Sequence, residues 1–185
     1  MPALHFFYLI FNVTCHPRTF TSIEYIAKVI SALQGRLVTL MDLPTVAPYF
    51  FVPPAWADAE ACAMLDGMSI GDYQNTIRGT AERLKSTAPW DRQTLTDSLH
   101  AQSRTEAIKT AKFMTALRHA LSGVKVPFVE KNFVALNLNR SLPQNGPSVA
   151  EMMDVLGEQR TIARLEEAGD SSHAWFTTTS PSNSS

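Results

Sequence analysis

Between Arg104 and Gly157 the sequence marks the end of one helix and the start of another, and this pair constrains the fold more than any other feature. The first half ends a basic helix, Lys112-Phe113-Met114-Thr115-Ala116-Leu117-Arg118-His119-Ala120-Leu121, with Ser122-Gly123 as its stop. Glycine is the residue that most readily takes the left-handed turn closing a helix. The second half, Gly146-Pro147-Ser148-Val149-Ala150-Glu151, opens another helix. Proline suits a helix start, and Ser-x-x-Glu is a capping box that satisfies the first free amides. This helix should reach Leu156 and stop at Gly157. Whatever surrounds the stretch must therefore pack against helices.

The remaining chain has the same helical periodicity. Thr21-Ser22-Ile23-Glu24 reads as a capping box, and Ile23, Ile26, Ile30, Leu33 and Leu37 follow as one apolar stripe, predicting a helix to about Gly35 or Leu40. Pro44, Pro48, Pro53 and Pro54 keep the next segment irregular, so Tyr49, Phe50 and Phe51 are expected to dock it onto its neighbours. Trp56 to Leu65 is predicted helical. Ile70, Tyr73, Ile77, Ala81 and Leu84 mark the core face of a further helix that ends by Pro89. Trp90 to about Ala101 is the next, followed by a long basic helix from Arg104 to Leu121 with Ile108, Ala111, Met114, Leu117 and Leu121 inward. Residues 124–145 read either as a short strand or as disordered. Glu158 to about Ala168 forms the last helix, with Ile162 and Leu165 inward.

The expected fold class is all-α, a bundle of about seven helices. Its divisions are an apolar segment 1–20 of unclear role, helical subdomains 21–102 and 103–168 with 124–145 as an insertion, and a disordered tail 169–185 without a packable pattern. The apolar N-terminal run is too short to span a bilayer as a helix and lacks the basic region of a secretory signal.

At 185 residues with 45% hydrophobic and 18% charged residues, the chain suits a soluble globular protein. Burial of roughly 70% of the unfolded surface is enough for stability without disulfides or metal. Cys15 and Cys62 form no C-x-x-C, and the five histidines are dispersed, so no metal site is expected. A Gly-rich phosphate loop, G-x-S-x-G and H-E-x-x-H are all lacking. His119 beside Arg118 reads as a helix-end residue rather than a base, and Met64, Met68, Met114, Met152 and Met153 read as core filling. These observations exclude any recognisable catalytic constellation.

The net charge of −1 conceals segregation. Residues 41–72 carry −5, residues 104–140 carry +5 and residues 141–185 carry −4. A basic stretch between acidic flanks suits a phosphate backbone; the competing reading is a solvated helix face.

Leu117-Arg118-x-Ala120-Leu121-Ser122-Gly123 followed by Gly146-Pro147-Ser148-Val149-Ala150-Glu151-Met152-Met153 and Val155-Leu156-Gly157 resembles the C-terminal anticodon-binding part of bacterial-type and organellar glutamyl-tRNA synthetases. Arg160-Thr161-x-x-Arg164-Leu165 fits the same pattern, and Gln34-Gly35-Arg36-Leu37-Val38-Thr39-Leu40 with Ala47-Pro48-Tyr49-Phe50-Phe51 is similar to the stretch entering that region. The family is a class I ligase that joins glutamate to its tRNA with ATP and magnesium. Its H-I-G-H-like and K-M-S-K-S-like signatures do not occur here, so the resemblance implies a tRNA-binding module that uses no cofactor and does not aminoacylate by itself. It further implies anticodon contacts at Arg118, Gly146, Pro147, Ser148 and Val149, and tRNA(Glu) or tRNA(Gln) as partner. A monomeric state, no membrane, and a mitochondrial-matrix location (cytoplasmic in a bacterium) complete the expectation.

Lys109, Lys112, Lys125, Lys131 and Arg140 are the candidate phosphate contacts. Arg118 can stack on or bond an unpaired base, although it can equally cap its own helix. The family joins Ser-Gly to Gly-Pro with a few residues, whereas residues 124–145 intervene here. That insertion is expected either to block the anticodon pocket or to add basic contacts, and it suggests an alternatively assembled gene product. The alternative function is a non-catalytic helical module that binds a protein.

Overall fold

The computed structural model describes residues 22–33, 37, 39–106, 108–124 and 146–176. Helix α1 (Ile23–Ala32) starts where the Ser22 hydroxyl accepts the Tyr25 amide at 3.2 Å. It stops at Ala32 instead of Gly35 or Leu40, and its buried face is Tyr25, Val29 and Leu33. Ile23, placed inward by the spacing, is 81% exposed. Tyr25 decides the orientation: its hydroxyl donates to the Phe50 carbonyl at 2.6 Å, and its ring meets Phe51 edge-on.

A one-turn helix α2 (Leu43–Val46) and a tight turn at Pro48–Phe50 follow. They deliver Tyr49, Phe50 and Phe51 into the core, as the prolines and aromatics predicted. Helix α3 covers only Ala59–Ala63 of the predicted 56–65, because Trp56 is engaged elsewhere. Helix α4 (Ile70–Leu84) buries Tyr73, Ile77, Ala81 and Leu84, the predicted face apart from a half-buried Ile70.

The predicted helix 104–121 is in fact the end of α5 (Arg92–Thr105) and the whole of α6 (Thr110–Ser122). Glu106 and Lys109 are extended. The hydroxyls of Ser103 and Thr105 donate to the carbonyls of His100 and Gln102 at 3.0 and 2.8 Å, the side-chain competition that disfavours helix continuation. With α6 starting later, its inward face becomes Phe113, Ala116, Leu117, Ala120 and Leu121, while Ala111 is exposed and Met114 half-buried.

Helix α7 (Val149–Leu156) has the predicted bounds. Helix α8 runs from Glu158 to Phe176 and so corrects the expected disorder of residues 169–176. Ser172 and Trp175 are buried, and Trp175 packs at 5.2 Å from Tyr73 and 4.9 Å from His119. Two aromatics at the end of a polar run were enough to extend the helix. Residues 177–185 lie outside the described residues, as do 1–20 and the insertion from 125 to 145.

The described residues form helices and turns and no strand, so the fold is the all-α bundle anticipated. α4 lies along α8, α5 along α7, and α6 touches α4, α7 and α8. Side chains from α1 through α8 join one apolar core around Phe50, Tyr73, Phe113, Leu117, Met152 and Leu165.

Candidate nucleic-acid interface

The last turn of α6 and the first turn of α7 meet at one contact. Arg118 Nη2 donates to the Pro147 carbonyl at 3.0 Å, and Nη1 lies 3.9 Å from the Met152 sulfur. Around this contact the two turns are built differently.

A helix leaves its last carbonyls without intrahelical partners, and distant side chains collect those of α6. Trp56 Nε1 donates to the Ala120 carbonyl at 3.0 Å. Arg164 Nη1 donates to the Leu121 carbonyl at 2.7 Å and its Nη2 to the Val52 carbonyl at 3.2 Å. The Ser122 hydroxyl returns to the Arg118 carbonyl at 2.8 Å. Gly123 closes the helix with φ +61, and a Cβ there would stand 2.6 Å from the Ala55 amide nitrogen. The stop therefore requires glycine twice over, for its backbone angle and for the close approach.

His119 is buried in this turn with Nδ1 2.9 Å from the Tyr73 hydroxyl. Burial pushes its pKa down to about 4, so the ring is neutral at pH 7. Burial raises the Tyr73 hydroxyl above its ordinary range. It lowers Arg164 to about 10, which still leaves the guanidinium charged.

The first turn of α7 is capped by its own sequence and braced from α5. The Ser148 hydroxyl accepts the Glu151 amide at 3.1 Å, and Glu151 Oε2 accepts the Ser148 amide at 2.7 Å, the reciprocal capping box predicted. Arg92, the first residue of α5, reaches Glu151 Oε1 at 2.8 Å. Trp90 Nε1 donates to the Met153 carbonyl at 3.3 Å.

The structure thus brings Arg118 and the turn Gly146–Val149 together. Ser148 is exposed, Gly146 half-buried, and Pro147 and Val149 buried. Lys109 and Lys112 sit at the other end of α6. At 1.5 Å and 100° per residue, Lys109 lies about 14 Å from Arg118 along the axis and about 180° around it. The Lys112 ammonium donates to the Gly67 carbonyl. These two lysines do not share a face with Arg118, while Lys125, Lys131 and Arg140 fall outside the described residues.

The spacing did not single out Arg92, Trp56 or Arg164 as parts of this corner. Arg164 was visible only inside a longer pattern, and nothing near Arg92 or Trp56 hints at partners so far along the chain. The edge carries the Arg118 guanidinium and the positive end of α7, while the Glu151 carboxylate there is paired with Arg92. Such an edge favours a polyanion with unpaired bases. Among the described residues no cluster of His, Cys, Asp and Glu could hold a metal ion, and no helix is long and apolar enough to cross a membrane.

A family model described as an anticodon binding domain matches residues 4–128, more than half of the chain. The match begins inside the apolar N-terminal segment, to which the residues alone assigned no role. The chain is similar to glutamate–tRNA ligase 2 of Rhodospirillum rubrum, with 25% identity over 139 residues covering 75% of this chain and 25% of that one. It is also similar to glutamate–tRNA ligase 1 of Jannaschia sp., with 32% identity over 111 residues covering 60% and 18%. It therefore spans about a quarter or less of the length of these curated relatives. A crystal structure of a glutamate tRNA ligase from Elizabethkingia meningosepticum in complex with its amino acid superposes with a TM-score of 0.64 at 20% identity, over 91% of this chain and 28% of that one. At that identity the likeness shows the fold.

Proposed function

The chain belongs to the anticodon-binding domain family, and on that premise we propose that it is the tRNA-binding module of a glutamate–tRNA ligase, reading the anticodon with the edge of Arg118 and Gly146–Val149. The observation that carries this is the bond from Arg118 to the Pro147 carbonyl. It joins the two halves of the motif into one continuous edge although 29 residues separate them. The exposed Ser148 and the positive end of α7 lie beside it. The partner proposed is tRNA(Glu) or tRNA(Gln), and recognition is assigned to this chain without aminoacylation.

Titration of the chain with tRNA(Glu), carrying its own or a scrambled anticodon, at two salt concentrations tests the proposal. The native anticodon should bind more tightly at both salts, and Arg118→Ala should weaken that binding on the order of tenfold, the scale of one stacked or bonded base. Equal binding of the scrambled anticodon would leave only a generic basic surface. Formation of glutamyl-tRNA by the purified chain would overturn the division of labour.

A further inference from the structure

We infer that Arg92 is a positioning residue for the anticodon-reading edge, acting through Glu151, so that the turn 146–149 is braced from two helices at once. This rests on the proposal above. Glu151 divides its carboxylate between two duties: Oε2 accepts the Ser148 amide at 2.7 Å and Oε1 meets Arg92 Nη1 at 2.8 Å. The Glu151 side chain is 23% exposed and that of Arg92 63%, so the carboxylate is the enclosed partner and the guanidinium covers it from solvent.

Arg92 is itself held in place. It is the first residue of α5, and the preceding Asp91 accepts the amides of Gln93 and Thr94 at 2.9 and 3.0 Å. Two residues back, Trp90 holds the Met153 carbonyl, so residues 90–92 grip α7 at two points. On the other side α6 holds the turn through Arg118 and Pro147.

The brace has an electrostatic consequence. An uncovered Glu151 would present a full negative charge beside Ser148, where a polyanion must approach. Arg92 neutralises that charge and fixes the rotamer that carries the capping bond. Its effect on recognition must therefore disappear once Glu151 loses its charge.

A double-mutant cycle in the full chain tests this, with the ratio of native to scrambled anticodon binding as readout. Arg92→Ala should lower the ratio about two- to fivefold, the range open to an exposed ion pair, and Arg92→Lys should restore most of it. Glu151→Gln keeps an acceptor for the Ser148 amide, and in that background Arg92→Ala should change nothing further. The inference fails if Arg92→Ala weakens both anticodons equally and lowers the salt slope by about 0.7–0.9, the mark of a direct phosphate contact. It fails equally if the two substitutions act independently. No anticodon preference in the unmodified chain would instead remove the functional proposal on which it stands.

Discussion

The end of α6 and the start of α7 touch through Arg118 and Pro147, yet their capping groups come from different distances along the chain. The carbonyls of α6 are taken by Trp56 and Arg164, 64 and 43 residues away from their acceptors, and His119 finds Tyr73 at a separation of 46. The α7 turn is capped by Ser148 and Glu151, three residues apart. The cap of α7 is local and modest, with Arg92 and Trp90 bracing the helix from around the start of α5, whereas the long-range caps tie the end of α6 to the core. Damage at the two ends should therefore differ in size and in reach.

The sharpest break in that contrast comes from Gly123→Ala, expected to cost about 4 kcal/mol because left-handed strain adds to a backbone clash at 2.6 Å. Gly157→Ala, with φ +79 and no atom within 4 Å, should cost only the strain, about 2 kcal/mol. Equal losses in urea unfolding would mean that Ala55 yields easily and the α6 end is softer than its contacts suggest.

Arg164→Met comes next, at about 3 kcal/mol, since it leaves the carbonyls of Leu121 and Val52 without their charged donor. The loss should appear in the unfolding midpoint together with faster hydrogen exchange at the end of α6. A change below 1 kcal/mol would show that the guanidinium is dispensable there.

Acid should act on the same end. His119 has a folded pKa of about 4 against an ordinary 6.5, so the unfolded chain takes up the proton first. Its contribution is complete above about pH 6.5 and is lost as pH falls toward 4, by about 2 kcal/mol between pH 7 and pH 5. Denaturation curves at those pH values measure it, and His119→Gln should flatten the difference. An unchanged slope in that variant would assign the acid sensitivity to other groups.

Ser148→Ala should have the smallest effect, about 1 kcal/mol, the usual worth of an N-cap. A loss matching that of Arg164→Met would reverse the ranking of the two ends.

Much of the fold was legible because its signals are short-range. The capping box at 148–151, the stops at Gly123 and Gly157 and the core face of α4 all lie within one or two helical turns, and each stands where the spacing placed it. Two of the failures have a long-range cause. The face of α1 was turned by the Tyr25 bond to Phe50, 25 residues on, and α8 continued to Phe176 because Tyr73 and His119 offered Trp175 a surface. The split between α5 and α6 was local, but the hydroxyls that made it have no fixed preference until the chain around them is set. In the candidate site, the family resemblance pointed to Arg118 and the 146–149 turn, whereas the Arg92 ion pair gave no sign.

By itself, then, the sequence determined that this chain is helical, where α7 starts and where α6 ends, since hydrogen bonds across three or four residues are written directly in residue order. Only the tertiary structure decided which way α1 faces, which side chains seal the end of α6, and that Arg118 bonds the Pro147 carbonyl. Those outcomes depend on groups arriving from dozens of residues away, and their meeting is a property of the packed core.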